Sequence, residues 1–121
     1  MRMNEKLKIV LKKYESHPEF LGIDMAGPNQ RGAVDDSPMH IAARKGDLAD
    51  LEVLIVNGGD VNLVGNLSNT PLHNAAMRGH VAVVKRLLEF GANQKLTNEF
   101  SQTALDVARL GGHQEVVKIL N

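Results

Sequence analysis

The sequence predicts an all-α fold in which short helix pairs are stacked side by side. Three observations lead to this prediction. The chain repeats itself with a constant period and without a gap, each unit opens with a helix-start signal, and glycines stand where helices would end. Because helices this short cannot bury their apolar faces alone, the units must stack on one another to form a core.

Helix-start signals recur at one position of each unit. The pairs Ser37-Pro38, Thr70-Pro71 and Thr103-Ala104 recur with a constant 33-residue period. A Ser or Thr side chain caps a helix N-terminus, and proline has a backbone preset for the first helical turn. The first helix of each unit is therefore expected to begin directly after these Ser and Thr residues.

Glycines mark the ends of the expected helices. In the middle unit, Gly79 ends the first helix and Gly91 ends the second, because glycine adopts the left-handed conformation of a helix C-terminus without strain. The second helix reads HVAVVKRLLEF, whose apolar residues recur along one face at helical spacing. Gly46 and Gly112 stand one period before and one period after Gly79. Polar, turn-rich residues connect one unit to the next.

The motif TPLHNAA, which begins at Thr70, resembles the ankyrin repeat when it is taken together with the constant 33-residue period. The resemblance covers residues 32–121. It implies helix–turn–helix pairs joined by short β-hairpin fingers and stacked into a slightly curved solenoid. The predicted fold class is therefore an all-α ankyrin-repeat solenoid.

Three departures from the ankyrin pattern affect its interpretation. The third unit has Ala104 and Asp106 in place of Pro and His, and its shortened form is typical of a C-terminal cap. Asn74 occupies a position that is apolar in the other two units. The position that is usually a finger glycine is non-glycine in every unit, which predicts irregular finger tips; the residues are Asp35, Ser68 and Ser101.

The chain is predicted to form a single domain over residues 1–121. Residues 1–31 are assigned to an N-terminal cap. Two full repeats follow at 32–64 and 65–97, and a truncated third repeat occupies 98–121. No linker separates them.

The cap is expected to begin with an amphipathic helix. The segment NEKLKIVLKKYE starts one period before Ser37, so we interpret it as the first helix of a degenerate unit. Its lysines are interpreted as solvent-facing rather than as a membrane contact. The segment HPEFLGID is then a short second helix or a packed turn. The cap is expected to cover the end of the stack through the apolar residues Leu7, Val10, Leu11, Tyr14, Phe20, Leu21 and Ile23.

Composition limits the possible partners. Lys+Arg and Asp+Glu are 14 each, whereas a nucleic-acid-binding domain usually shows a basic excess. No apolar run is long enough for a signal peptide or a membrane span. The chain has no cysteine, which excludes disulfides and thiolate metal sites and fits a reducing, cytoplasmic setting. We therefore expect neither a nucleic-acid nor a membrane partner.

The titratable residues are interpreted as scaffold. His40 and His73 are one period apart, and so are His80 and His113. Equivalent residues of neighbouring units stand about 10 Å apart, the spacing of packed helices, which is too far for one ion. The adjacent carboxylates at 35 and 36 are interpreted as a polar finger, and no nucleophile or phosphate-loop motif is present. We expect no enzyme activity, metal or cofactor.

Positions that stacking leaves free are the candidates for partner recognition. The resemblance places them on the finger tips and on the exposed side of each first helix, which together line a concave face. The predicted partner-binding residues are Val34, Asp36, Arg44, Lys45, Asn66, Leu67, Asn69, Met77, Arg78, Glu99, Phe100, Gln102, Arg109 and Leu110.

Three of these residues form an aligned apolar stripe. Val34, Leu67 and Phe100 follow one another at the repeat period, at a position that is usually variable and exposed. Exposed apolar side chains favour a partner that covers them. The alternative is that they pack onto the adjacent finger. Val53 and Val56, at commonly polar positions of a second helix, are expected either to pack under the cap or to form a minor contact.

The predicted function is non-enzymatic binding of another protein by a monomeric, preorganised concave face. Size and architecture resemble those of stand-alone ankyrin-type immunity proteins that neutralise bacterial toxins. They also resemble those of small eukaryotic ankyrin adaptors and enzyme inhibitors. The sequence leaves the partner's identity open.

Overall fold

The computed structural model describes residues 4–23 and 25–121. This part of the chain contains seven α-helices and two short 3-10 turns and contains no β-strand. The helices are α1 (Glu5–Glu15), α2 (Pro38–Lys45), α3 (Leu48–Val56), α4 (Pro71–Arg78), α5 (Val81–Glu89), α6 (Ala104–Leu110) and α7 (Gln114–Leu120). The 3-10 turns span Pro18–Phe20 and Asn66–Ser68.

The six helices after α1 form two layers. The first helices of the repeats, α2, α4 and α6, stack on one another, and the second helices, α3, α5 and α7, stack behind them. Each first helix also packs against the second helix of its own repeat. Fully buried alanines such as Ala42, Ala75 and Ala108 lie on the first helices, where small side chains let the backbones approach closely. The predicted all-helical stack of helix pairs is confirmed.

Each first helix begins at the predicted cap. The backbone N–H groups of Ser37 and Thr70 donate to Nδ1 of His40 and His73, at 3.0 and 3.1 Å. These bonds satisfy donors that a helix N-terminus otherwise leaves free. In the third repeat, the N–H of Thr103 donates to the Asp106 carboxylate at 2.9 Å. Asp106 thus keeps the cap although it replaces histidine.

Gly46, which follows α2, and Gly79, which follows α4, are each required for two independent reasons. Gly79 has a φ of 72°, in the left-handed region that strains residues with a side chain. A Cβ atom at Gly79 would lie 2.5 Å from Nδ1 of His113 in the next repeat. Gly46 has a φ of 75°, and a Cβ atom there would lie 2.6 Å from Nδ1 of His80. These glycines therefore allow the next histidine to pass close to the backbone.

The β-hairpin form expected for the fingers is not shown, because the segments concerned are tight turns within the described residues. In each turn one backbone N–H closes the loop, from Gly32 to Asp36, from Gly65 to Asn69 and from Asn98 to Gln102, at 2.7 to 3.0 Å. A second bond inside each turn joins the N–H of Asp35, Ser68 or Ser101 to the carbonyl three residues before it. One closing pair is too short for a strand ladder. The irregular tips agree with this, since the non-glycine residues Asp35, Leu67, Ser68 and Ser101 have positive φ angles of 57° to 75°.

The position of α1 differs from the prediction. Because α1 starts one period before Ser37, the sequence predicted that it would act as the first helix of a repeat. In the structure α1 packs against α3 instead and so extends the layer of second helices. The Lys13 ammonium and the Tyr14 hydroxyl both bond the buried carboxylate of Asp50 in α3, at 2.8 and 3.2 Å. This polar anchor, together with the apolar face of α1, places the helix there.

The expected apolar contacts of the cap are largely present. Leu7, Val10, Leu11, Tyr14 and Phe20 are all buried. Leu21, however, is 67% exposed and does not cover the stack, because the 3-10 turn ends at Phe20 and directs the chain outward. Ile23 is half-buried. None of the described helices is long and apolar enough to cross a membrane.

Candidate protein-binding surface

The finger tips present the apolar stripe to solvent. Val34, Leu67 and Phe100 are 53, 43 and 63% exposed, so the adjacent finger does not cover them. Backbone bonds nevertheless join the fingers, since the N–H of Glu99 donates to the carbonyl of Leu67 at 3.0 Å. The stripe is therefore exposed and is held on connected turns.

The last turns of the first helices face the fingers. Arg44, near the end of α2, pairs with the finger carboxylate of Asp36 at 3.2 Å, so its side chain lies over the finger base. Met77 and Leu110 stand one and two periods after Arg44, at the equivalent positions of α4 and α6. They are 39 and 76% exposed. Repeats 2 and 3 thus combine apolar finger tips with apolar helix ends.

Two predicted contact residues lie inside the finger region rather than on its surface. Asp36 is 2% exposed, pairs with Arg44 and accepts a hydrogen bond from the N–H of Asn66 at 2.9 Å. Asn69 is 8% exposed and accepts from the amide of Asn98 at 3.0 Å. We therefore remove Asp36 and Asn69 from the contact set. Both residues are turned inward to satisfy polar groups of the neighbouring finger.

The remaining polar finger residues differ in exposure. Asn66 and Glu99 are exposed, and their backbone N–H groups carry the bonds between fingers. Gln102 is half-buried; its carbonyl accepts from Nε2 of His73 and its side-chain oxygen accepts from Asn98, both at 2.9 Å. Asn66 and Glu99 stay available to a partner, whereas Gln102 is largely engaged within the scaffold.

The predicted cations do not form one row. Lys45 and Arg78 are the last residues of α2 and α4, and both are exposed. The residue one period after Arg78 is Gly111, so Arg109 does not continue the row of Lys45 and Arg78. Arg109 corresponds instead to the buried Ala43 and Ala76. It is exposed because no described helix stacks on the outer side of α6.

The histidines act as bridges within the scaffold. Nε2 of His80 and of His113 bonds the carbonyls of Arg44 and Met77 in the preceding repeat, at 2.8 and 2.9 Å. Burial lowers the pKa of His40 and of His73, which keeps both rings neutral. Within the described ranges, no three His, Asp or Glu side chains converge as they would in a metal site.

Buried titratable groups lie near the cap. The pKa of Glu19 is raised by burial and by the negative charge of Asp36, and one of its carboxylate oxygens has no hydrogen-bond partner within the described structure. The pKa of Tyr14 is raised by burial and by the charge of Asp50. The pKa of Lys13 is raised chiefly by its hydrogen bond to Asp50. These groups belong to the packing of the cap against the first repeat.

The concavities of the surface lie away from the predicted contact residues. One is at the turn before α7, another lies between α1 and α3, and a third is beside Leu105 and Leu120 at the outer end of repeat 3. The groove between α1 and α3 contains Val53 and Val56; Val53 is half-buried and Val56 is exposed. The finger-and-helix face is thus a broad surface, which suits a protein better than a small molecule.

The structure also shows scaffold residues that the sequence interpretation missed. The side-chain oxygens of Asn29 and Asn62 accept from the N–H groups of Asp60 and Asn93, both at 2.8 Å. Each bond clips one connecting segment to the next. A signal was present, because Asn29 and Asn62 are themselves one period apart. The buried Asn98, which fastens the third finger, had no such signal.

Comparisons with known proteins agree with this architecture. A family model described as "Ankyrin repeats (3 copies)" matches residues 39–121. No curated protein gave a significant match to the sequence.

Proposed function

We propose that this chain, which belongs to the ankyrin-repeat family, binds one protein partner through the finger tips and first-helix ends of repeats 2 and 3. Ankyrin repeats generally mediate protein–protein interaction. The finer assignment rests on where the exposed apolar residues lie. The recognition surface, as we use the term below, comprises Leu67, Met77, Phe100 and Leu110 and the residues beside them.

One observation supports this choice of surface above the others. Leu67, Met77, Phe100 and Leu110 are all exposed, and they occur on two rows of equivalent positions that lie on the finger side of the stack. Burying such side chains against a partner contributes roughly 25 cal/mol per Å² of apolar area. The second helices of repeats 2 and 3, in contrast, carry no large exposed apolar residue in the described structure.

The backbone of the finger tips gives independent support. Leu67 and Ser68 are adjacent non-glycine residues with φ angles of 57° and 60°. A left-handed conformation costs about 1–2 kcal/mol for each such residue. Strain of this kind concentrates at binding sites, where the surrounding structure holds a side chain in a required direction. A rigid, preorganised tip also loses little conformational entropy when it binds.

The test begins with isolation of the partner by cross-linking in the cells from which the sequence comes. Affinity is then measured for Leu67→Ala, Phe100→Ala and the control Val56→Ala, which truncates an apolar residue on α3 that is more exposed than either. We expect each finger substitution to weaken binding by about 1–3 kcal/mol, as for apolar hot spots. Val56→Ala should bind normally. Normal affinity of both finger variants, or lower stability with unchanged affinity, would show that the stripe serves packing.

We further propose that binding inhibits or neutralises the partner, as in ankyrin-type immunity proteins against toxins. We propose a monomer in the cytoplasm whose one preorganised face acts by covering an active site or an interface of the partner. The second candidate is an adaptor of eukaryotic type. It is favoured by the exposed apolar residues Ile9 and Leu21 of the cap, which could contact a second protein.

An inhibitor and an adaptor differ in their effect on the partner's activity and in the number of proteins that they bind. An inhibitor abolishes the partner's activity at a molar ratio of one, and Phe100→Ala restores that activity. An adaptor leaves activity intact and binds a second protein, whose binding Leu21→Ser would weaken. Retained partner activity in a saturated complex would exclude inhibition.

A further inference from the structure

We infer that the partner presents an acidic segment in which carboxylate side chains flank an apolar or aromatic residue. This inference rests on the proposed function, because it concerns the chemistry of whatever covers the recognition surface. It is drawn from the balance of paired and unpaired charges around Leu67, Met77, Phe100 and Leu110.

The acidic side chains near the recognition surface are mostly engaged within the chain. Asp36 is buried and pairs with Arg44, and Asp35 pairs with Arg31, each at 3.2 Å. Asp106 accepts a hydrogen bond from the backbone of Thr103. Glu99 is exposed and makes no ion pair with any described residue. Two carboxylates without an ion pair to a described residue therefore remain near this surface, Glu99 and Asp106.

The cations beside the apolar residues are, in contrast, unpaired. Arg78 follows Met77 on the last turn of α4. Arg109 precedes Leu110 on the last turn of α6, at the outer edge of the surface, where no described helix stacks on α6. Both are exposed and form no ion pair within residues 4–23 and 25–121. Lys45, at the end of α2, also lacks an ion pair there and lies 5.9 Å from the centre of the Tyr14 ring. These three cations outnumber the two carboxylates that form no ion pair in the described structure, so the surface holds a small local excess of positive charge in a chain of zero net charge.

Because Arg78 and Arg109 are arginines, carboxylates are the partner groups that suit them best. Arginine presents a planar fork that binds a carboxylate through two parallel hydrogen bonds, and it is enriched among binding hot spots. The second helices carry lysines at their exposed unpaired positions, Lys85 and Lys118, with no large exposed apolar residue among the described ones near them. A nucleic acid could also neutralise the arginines, but it has no apolar side chain to bury against Leu67 and Phe100.

A phage-displayed library of random peptides, each long enough to span two repeats, tests this inference. The full chain is the bait, and enriched peptides are measured against Arg78→Glu/Arg109→Glu, against Phe100→Ala and Leu67→Ala, and against Lys85→Glu/Lys118→Glu. The last variant makes the same charge change on the opposite layer and serves as the matched control. Far-UV circular dichroism of each variant verifies that it is folded.

We expect enriched peptides to be acidic and to contain an apolar or aromatic residue. Reversing two cations replaces two attractions by repulsions, so affinity should fall about tenfold for Arg78→Glu/Arg109→Glu and stay unchanged in the control. Raising the salt concentration should also weaken binding, because exposed charges are screened. Phe100→Ala should weaken binding of the same peptides.

The contrary outcomes separate this inference from the proposed function. Neutral or basic peptides that depend on Phe100 but bind Arg78→Glu/Arg109→Glu normally would overturn the acidic-segment inference and leave the surface in place. Peptides that bind Phe100→Ala and Leu67→Ala as well as the natural chain would contradict both. Enrichment of no peptide would overturn the inference, because the inference requires that an acidic segment suffices for binding.

Discussion

Asn74 is a buried polar residue whose replacement should stabilise the protein. It lies in α4, is 5% exposed, and its amide nitrogen has no hydrogen-bond partner within the described structure. The equivalent residues of the other repeats are the buried Ile41 and Val107. Leucine has the same branching as asparagine, with two larger methyl groups in place of the amide oxygen and nitrogen. Asn74→Leu therefore removes the unsatisfied amide and places a branched apolar side chain where the other repeats have one.

The expected gain follows from two effects. An unsatisfied buried donor costs about 1–3 kcal/mol, and leucine exceeds asparagine in helix propensity by a few tenths of a kcal/mol. We therefore expect Asn74→Leu to raise the free energy of unfolding by about 1–3 kcal/mol. For a chain of 121 residues this corresponds to an increase in Tm of roughly 4–12 °C.

Urea denaturation followed by far-UV circular dichroism measures this change. The midpoint should rise while the slope m stays constant, which indicates a change of stability alone. Asn66→Leu is the matched control, because the same substitution at an exposed residue should alter stability by less than about 0.5 kcal/mol. If the Asn74→Leu variant is no more stable than the natural chain, the reasoning is refuted. The side-chain amide of Asn74 would then have a hydrogen-bond partner in solution.

The remaining predictions concern histidine, glycine and the finger tips. Burial lowers the pKa of His40 and His73, so below about pH 6.5 the unfolded chain binds protons that the folded chain does not. The free energy of unfolding should therefore fall as the pH drops through this range. Urea denaturation above and below about pH 6.5 measures the difference. His73→Gln should reduce this pH dependence. Gly79→Ala should destabilise by more than about 1–2 kcal/mol in urea denaturation, because its φ is positive and its Cβ meets His113. Ser101→Gly should raise Tm slightly, because its φ of 58° suits glycine; an unchanged or lower Tm would contradict the strain assigned to the tip.

The period of the sequence was enough to predict the helices of the repeats, because local signals and repeated spacing agreed. The Ser-Pro and Thr-Pro caps and the helix-ending glycines are local features, and the structure places them as expected. The position of α1 was predicted only from its distance of one period to Ser37. That prediction was wrong because Asp50, in α3, binds the side chains of Tyr14 and Lys13. A long-range polar contact of this kind leaves no periodic trace in the sequence.

The direction of finger side chains could not be predicted from spacing. Asp36 and Asn69 are polar turn residues, which usually face solvent. Left-handed residues at the tips, such as Ser68, change the direction of the chain, and the closing residues then point inward. Arg109 shows a different limit, because its equivalents Ala43 and Ala76 are buried, and only its place at the outer end of the stack leaves it exposed. Exposure of Leu67 and Phe100 agrees with the expectation, whereas their binding role stays a prediction.

The bonds between neighbouring repeats determine where the chain could be lengthened. His73 reaches the third finger, so a duplicate of residues 65–97 inserted after residue 97 would keep this histidine bridge at both junctions. The clip made by Asn62 would be kept only if Lys95 of the first copy, which stands one period after Asn62, were replaced by asparagine. At the outer end the corresponding residues are Lys95 and Asp106, which make no such forward bond in the described structure. Engineered variants with a wider recognition surface should therefore be built by internal duplication, while addition beyond α7 would first need an asparagine and a histidine restored at these two positions.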